Sequence, residues 1–330
     1  MKLQNRIALL TELKKYLEKN TEEWQIIKDK AMVHNGWFTP EFINKAVDNI
    51  IDEFLSEDKL NKWINHYHLD DNITPRNVGI VMAGNIPLVG FHDLLCAFIC
   101  GHKQTIKLSS KDNILLPHLI EKLTSFDPEI KDLITISEML KGCDAYIATG
   151  SNNSARYFEY YFGKYPNIIR HNRTSVAIIT GDETPEMLEK LSDDIHIFFG
   201  LGCRNVTKIF VPEGYDFVPL LQSFHQYKYF ADHHKYKNNY DYNLSIQLMN
   251  NRFYMTNEST LLVESDSNFS PISQLNYSFY NDKISLYDSL KNNDEIQCVA
   301  GIDIPFGAAQ KPTLTDYADG IDTVAFLLTL

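Results

Sequence analysis

No stretch of this sequence stays apolar long enough to cross a bilayer. The longest unbroken run, residues 94–100, is 7 residues and follows His92 and Asp93, against about 20 for a spanning helix. Basic side chains are also short: 31 Lys and Arg stand against 43 Asp and Glu, for a formal charge of −12. Nucleic-acid affinity rests on clustered cations, so nucleic acid is not the expected partner. Cysteine is sparse and odd in number. Cys96, Cys100, Cys143, Cys203 and Cys298 form no C-x-x-C pair and no His/Cys cluster at zinc spacing, which argues against a disulfide framework and against a structural metal. The opening MKLQNRIALLTELKKYLEKN has no apolar core or small-residue cleavage site of a secretory signal, so a cytoplasmic location is expected. Also missing are H-E-x-x-H, G-x-S-x-G, an EF-hand loop, a P-loop and a full G-x-G-x-x-G. What is present is apolar material, 44% of 330 residues, enough for cores in roughly two domains.

Helical periodicity fills residues 1–75. Ile7, Leu10, Leu13 and Leu17 recur near the 3.6 spacing, and Phe42, Ala46, Ile50 and Phe54 do so after Pro40. At Asn77 the character changes, because NVGIVMAG is almost continuously apolar, as in a strand buried on both faces. A helix is expected over 87–100, a strand in QTIKLS, a helix in DNILLPHLIEKL, a strand in CDAYIATG and a helix in SARYFEYYFGKY. SVAIIT reads as a further strand, and TPEMLEKLSDDIHIFF as a helix with Thr184 at its N-cap and Pro185 at its first position. This alternation predicts a Rossmann-type doubly wound α/β sheet over 76–190. A second, smaller α/β domain is expected over 191–300, with strands in NVTKIFVP, TLLVES, QLNYSFY and IQCVAG around a helical stretch near 217–250. Residues 301–330 form a C-terminal segment.

Cys203 follows Gly200 and Gly202 and precedes a strand. Two glycines let the backbone turn sharply and a ligand approach closely, which suits a nucleophile at an element boundary. A buried, inert thiol fits the local sequence equally well. Asn85 lies just past the first core strand, where open sheets place ligand-contacting groups and where an amide can donate to an oxyanion; it also suits a plain turn before Pro87. Lys107 ends the second strand, and Gly150-Ser151 opens a helix whose N–H groups suit an anion. Cys96 and Cys100 read as core, and His233-His234 as a solvated face.

In order along the chain, VGIVMAGNIPL, AFICGHKQTIKLSS, IATGS, FFGLGC, NFSP and IPFG resemble the aldehyde dehydrogenase superfamily from about residue 77 to the C-terminus. Within it the chain is most similar to the acyl-CoA reductases of the bioluminescence, or LuxC, type, in shortened form. The resemblance implies an aldehyde dehydrogenase-like fold with Cys203 as the catalytic thiol. Asn85 and the Cys203 N–H would form the oxyanion hole. Lys107, followed by Ser109 and Ser110, would meet the adenosine ribose, and Gly150 with Ser151 the cofactor pyrophosphate. Phe269 and Pro271 match the nicotinamide-side motif, with Ser267 where a ribose-binding glutamate is usual. Pro305, Phe306 and Gly307 match the motif near the substrate entrance. Arg204 stands beside the thiol, where it would promote ionisation or touch substrate, and the last segment would return to the cofactor domain.

Two departures shape the functional expectation. Aldehyde-oxidising relatives carry a water-activating glutamate in E-L-G-G, and here the stretch is Arg170-His171-Asn172-Arg173. Without a base for water, an acyl-enzyme exchanges with a thiol more readily than it hydrolyses, which favours reduction of an acyl-CoA to an aldehyde. The usual cofactor-selecting glutamate is replaced by Ser110, which removes a repulsion against a 2′-phosphate and so leans to NADPH, with NADH open. The rival readings are an aldehyde dehydrogenase, CoA-acylating or hydrolytic, and a non-catalytic scaffold subunit with this fold. Homo-oligomerisation and a partner protein that transfers acyl groups are both open.

Overall fold

The computed structural model describes residues 1–330 and divides them between two units, Met1–Asn172 with Pro312–Leu330, and Arg173–Lys311. In the first unit four helices precede the sheet: α1 (Leu3–Lys19), α2 (Glu22–His34), α3 (Pro40–Asn49) and α4 (Glu57–His66). Leu3, Ile7, Leu10, Leu13 and Leu17 of α1 are buried along one face, as three- and four-residue spacing requires. Thr21 and Thr39 cap α2 and α3 by accepting from the N–H groups of Trp24 and Phe42. Pro40 takes the first position of α3, where its missing N–H has no partner to lose.

Five parallel strands follow: β1 (Asn77–Val81), β2 (Lys103–Lys107), β3 (Ile134–Ile136), β4 (Ala145–Thr149) and β5 (Asn167–Arg170). Their order is β3-β2-β1-β4-β5, a doubly wound sheet whose strand order reverses between β1 and β4. Helices α5 (Phe91–Cys100), α6 (Leu115–Phe126), α7 (Ile130–Leu133) and α8 (Asn152–Phe162) occupy the crossovers. The helix expected from residue 87 starts at Phe91, because Leu88 takes a left-handed φ of 56° and the chain loops there first. Helix α1 packs on α5 and α6, and the short helix Thr323–Leu327 also covers α5.

The second unit contains β6 (Thr174–Ile178), α9 (Pro185–His196), β7 (Val206–Pro212), α10 (Val218–Ser223), α11 (His234–Met249), β8 (Met255–Thr256), β9 (Leu261–Glu264), β10 (Gln274–Tyr280), α12 (Lys283–Lys291) and β11 (Ile296–Ala300). Its six strands run β11-β6-β7-β10-β9-β8, parallel except for the β8–β9 pair. Thr184 caps α9, accepting from the Met187 N–H at 3.3 Å. Strand β6 and helix α9, which the sequence pattern groups with the dinucleotide domain, lie in this unit because β6 hydrogen-bonds β7 and β11. No helix is long and apolar enough to cross a membrane.

Candidate active site

In the first unit, Asn85, Lys107, Ser109, Ser110, Gly150 and Ser151 all fall at the carboxyl edge of the sheet or in the loops beyond it. Neighbouring β1 and β4 mark the switch point, where an open sheet leaves a crevice for a ligand. Two glycines keep the surrounding backbone thin. A Cβ on Gly84 would fall 2.5 Å from the Ser109 Oγ, and one on Gly150 would fall 2.9 Å from both the Ser154 Cβ and the Phe158 ring. Ser151 caps α8, its Oγ accepting from the Ser154 N–H at 3.3 Å. These features fit a dinucleotide lying across the edge, with the first turn of α8 toward its phosphates.

The Asn85 loop is held from below by Asp112. This buried carboxylate accepts the Leu88 N–H at 2.8 Å. Burial pushes its carboxyl up to about 6, and the bonds from backbone N–H groups pull the other way. The end of α2 clamps the same region, since His34 Nε2 donates to the Ser110 carbonyl at 2.8 Å and Asn35 Nδ2 to that of Lys111 at 3.2 Å.

Arg170, where the resemblance has a water-activating glutamate, ends β5 and is 3% exposed. Its Nη1 lies 2.6 Å from Asp93 Oδ2 on α5, and its Nη2 donates to Thr323 Oγ1 at 2.9 Å. Burial acts to lower the guanidinium pKa, but the charge and hydrogen bond of Asp93 outweigh it and leave the pKa raised. Arg170 is therefore a paired cation that holds helices to the sheet.

In the second unit, Cys203 is the single cysteine of the five that is not buried. Burial pushes the other thiols up, Cys100 to about 12, with Cys96, Cys143 and Cys298 also raised. Only the thiolate is a good nucleophile, so these four are poor candidates. The backbone before Cys203 is strained: Phe198, Phe199 and Gly200 are all left-handed, with φ of 57°, 56° and 73°. That conformation costs a non-glycine residue roughly 1–2 kcal/mol, and packing supplies the compensation. The Phe199 ring sits 4.5 Å from the rings of both Phe230 and His233. Ser175 Oγ donates to the Cys203 carbonyl at 3.2 Å.

Arg204 turns to the loop that follows Phe306 and Gly307, its Nε donating to the Ala309 carbonyl at 2.8 Å. Asp194, fully buried on α9, accepts the N–H groups of Gly307 at 2.7 Å and Ala309 at 2.9 Å. Burial pushes its carboxyl up to about 6. The loop bearing buried Phe306 and Gly307, with φ of 84°, is thereby tied to α9.

Phe269 and Pro271 lie in a loop gripped by its carbonyls. Lys208 Nζ donates to Asp266 at 2.9 Å, Thr207 Oγ1 to Asn268 at 2.6 Å, and Asn276 Nδ2 to both Ser267 and Phe269 at 3.0 Å. Ser267, where the resemblance has a ribose-binding glutamate, spends its hydroxyl within the loop, donating to the Phe269 carbonyl at 2.9 Å. The anchoring residues Asp93, Asp112, Asp194 and Asn205 escape a motif search. Asp93 alone carried a signal: a carboxylate heading an apolar helix needs a buried partner.

The family model described as acyl-CoA reductase (LuxC) matches residues 2–219. No curated protein matches the sequence. Among solved structures, the chain is similar to the indole-3-acetaldehyde dehydrogenase AldA of P. syringae in complex with NAD+ and IAA, at 12% identity and a TM-score of 0.63, covering 91% of this chain and 72% of that one. It is similar to a Mycobacterium tuberculosis aldehyde dehydrogenase complexed with NAD+, at 13% identity and 0.63, covering 87% and 70%. An NAD-dependent aldehyde dehydrogenase from Sinorhizobium meliloti gives 10% identity and 0.64, covering 91% and 70%. These likenesses establish the fold: a Rossmann-type sheet and a smaller α/β domain, the two folds found in aldehyde dehydrogenases.

They also correct the expectation of NADPH. The P. syringae and M. tuberculosis structures hold NAD+, and the S. meliloti protein is named NAD-dependent. The physical error lay in treating the loss of a repelling glutamate as a gain of phosphate recognition. A 2′-phosphate needs donors or a cation. A serine in place of the glutamate offers one neutral hydroxyl donor and no charge.

Proposed function

This chain belongs to the acyl-CoA reductase (LuxC) family, and from that premise we propose an oxidoreductase that moves a hydride between NAD(H) and an acyl group held as a thioester on Cys203, working from acyl-CoA to aldehyde. The observation that carries this reading is Cys203 itself, the one unburied thiol, in a loop held on both sides. Its thiolate attacks the acyl carbon, the carbon–sulfur bond to CoA breaks, and CoA leaves as its thiolate, which takes a proton from solvent. The Cys203 N–H takes up oxyanion charge, and Asn85 is the second donor that the resemblance implies, a role worth roughly 3 kcal/mol per donor. NAD(H), when bound, supplies the hydride. Collapse of the resulting thiohemiacetal anion frees the aldehyde and returns the Cys203 thiolate. Arg170 supports the choice of CoA over water as acyl partner, because a guanidinium paired with Asp93 takes no proton from water.

A second reading, oxidation of an aldehyde with NAD+ as acceptor, draws support from the similar solved structures, which are named as dehydrogenases. It uses the same thiol and cofactor and differs in direction and in acyl acceptor. Three assays separate the cases: NADH loss with long-chain acyl-CoA, NAD+ reduction with aldehyde and CoA, and NAD+ reduction with aldehyde and water. Loss of NADH, with one acyl group gained on Cys203 by mass spectrometry and none in Cys203→Ala, is the expected result. NAD+ reduction with aldehyde alone would sink the reductase reading, and the absence of any acyl adduct would leave a scaffold.

A further inference from the structure

Helix α9 leaves its last turn through the left-handed residues Phe198, Phe199 and Gly200, which breaks the ladder that would take up its final carbonyls. The carbonyls of Asp194, Ile195 and Ile197 converge instead on one side chain. Asn205, fully buried, donates from Nδ2 to these three oxygens at 3.1, 3.3 and 2.8 Å. Its Oδ1 accepts the Gly202 N–H at 2.8 Å. A single amide two residues beyond Cys203 thus holds both the end of α9 and the residue preceding the thiol.

We infer that Asn205 is a positioning residue for the Cys203 nucleophile, an inference that rests on the thiol chemistry proposed above. Two effects follow from the bonds. The first is geometric: with Gly202 fixed to Asn205 and the Cys203 carbonyl fixed to Ser175, the thiol-bearing residue is held on both sides. The second is electrostatic. The carbonyl end of a helix carries about half a negative charge and disfavours an anion nearby. The Asn205 N–H groups, set against those carbonyls, offset it and favour the thiolate. Other small side chains fall short of it: Asp has no donor when ionised, Ser accepts but donates only one hydrogen bond, and Ala does neither.

The test is the pH dependence of Cys203 alkylation by iodoacetamide, read by peptide mass spectrometry on the full chain, in the wild type, Asn205→Ala and Asn205→Ser. The alkylation midpoint is expected to rise by about half a unit to one unit in Asn205→Ala, slowing the reaction at pH 7 roughly three- to tenfold. Asn205→Ser should shift less, since its hydroxyl restores one donor. Arg204 and Asp194 are the same in all three proteins, so their charges cancel from the comparison. A purely structural role would lower the melting temperature and leave the midpoint in place, and an unmoved midpoint in folded Asn205→Ala overturns the inference. The wild type offers a check that needs no variant: the Gly202 amide should exchange slowly with solvent, and exchange at the unprotected rate overturns the inference as well. Acylation of Cys203 by acyl-CoA is a separate readout. A thiol that shifts its midpoint but takes no acyl group defeats the proposed reaction and not the capping role, and the converse result defeats only Asn205.

Discussion

In the first unit Asp112 accepts a backbone N–H from the Asn85 loop, that of Leu88; in the second Asp194 accepts two, from Gly307 and Ala309. Both carboxyls are buried and pushed up to about 6. The surroundings differ more than the anchors. Around Asp112 the loops meet through glycine, with Gly84 against Ser109. His34 and Asn35 add two bonds to loop carbonyls there, whereas in the second unit polar side chains carry more of the hold: Arg204, Thr207, Lys208 and Asn276 each donate to a loop carbonyl, and Asn205 to the carbonyls that end α9. The contrast matches the two tasks proposed for the units. A nucleotide needs backbone thin enough to approach, and a nucleophile needs a backbone that does not move.

The largest break in this comparison is expected at Arg170, which has no counterpart in the second unit. Arg170→Ala strands the buried Asp93 carboxylate and should cost about 3–5 kcal/mol in urea unfolding, whereas the double change Arg170→Met with Asp93→Leu should recover most of it. A loss below about 1 kcal/mol in the single variant would mean that the pair is solvated.

The next test uses pH. Burial holds His196 down to about 4, against an ordinary value of 6.5. Between those values the unfolded chain binds the proton and the folded one does not, so stability is full above pH 6.5 and is lost as pH falls to 4, by about 3 kcal/mol. Asp112 and Asp194 act with the opposite sign. Their raised pKa values make the folded chain bind protons first, so their contribution improves as pH falls from about 6 toward 3.8. Denaturation curves for wild type and His196→Gln across this range should differ in slope, with the variant losing less on acidification; parallel curves would place His196 in solvent.

The two anchors can then be compared directly. Asp194→Ala and Asp112→Ala should each cost roughly 1.5–3 kcal/mol in urea unfolding, since each carboxylate takes up buried backbone N–H groups. A loss below about 0.5 kcal/mol in either variant would show that its carboxylate is not an anchor. The smallest effect is Gly84→Ala, at about 1 kcal/mol from overpacking against Ser109, with relief on adding Ser109→Gly. A neutral Gly84→Ala would show that the loops have room to part.

Much of this architecture was legible before folding. The apolar runs at Val78–Ile80 and Val176–Ile178 are strands buried on both faces, and Thr184-Pro185 opens a helix where cap chemistry places it. Strands β3 and β5 were not legible. They are short edge strands, half exposed, so no continuous apolar run announces them. Cys203 stood out through its flanking glycines, but the glycines did not separate an available thiol from a buried one. That distinction waited on the accessibility of all five cysteines.

By itself the sequence determined the strand and helix order, the caps, and the lone thiol between glycines, because periodicity and turn chemistry act over a few residues. Tertiary structure alone decided that Arg170 meets Asp93 across 77 positions, and that Asp194 holds Gly307 across 113. Charge pairing and burial depend on neighbours brought together by the fold, and no local pattern of residue types encodes who those neighbours are.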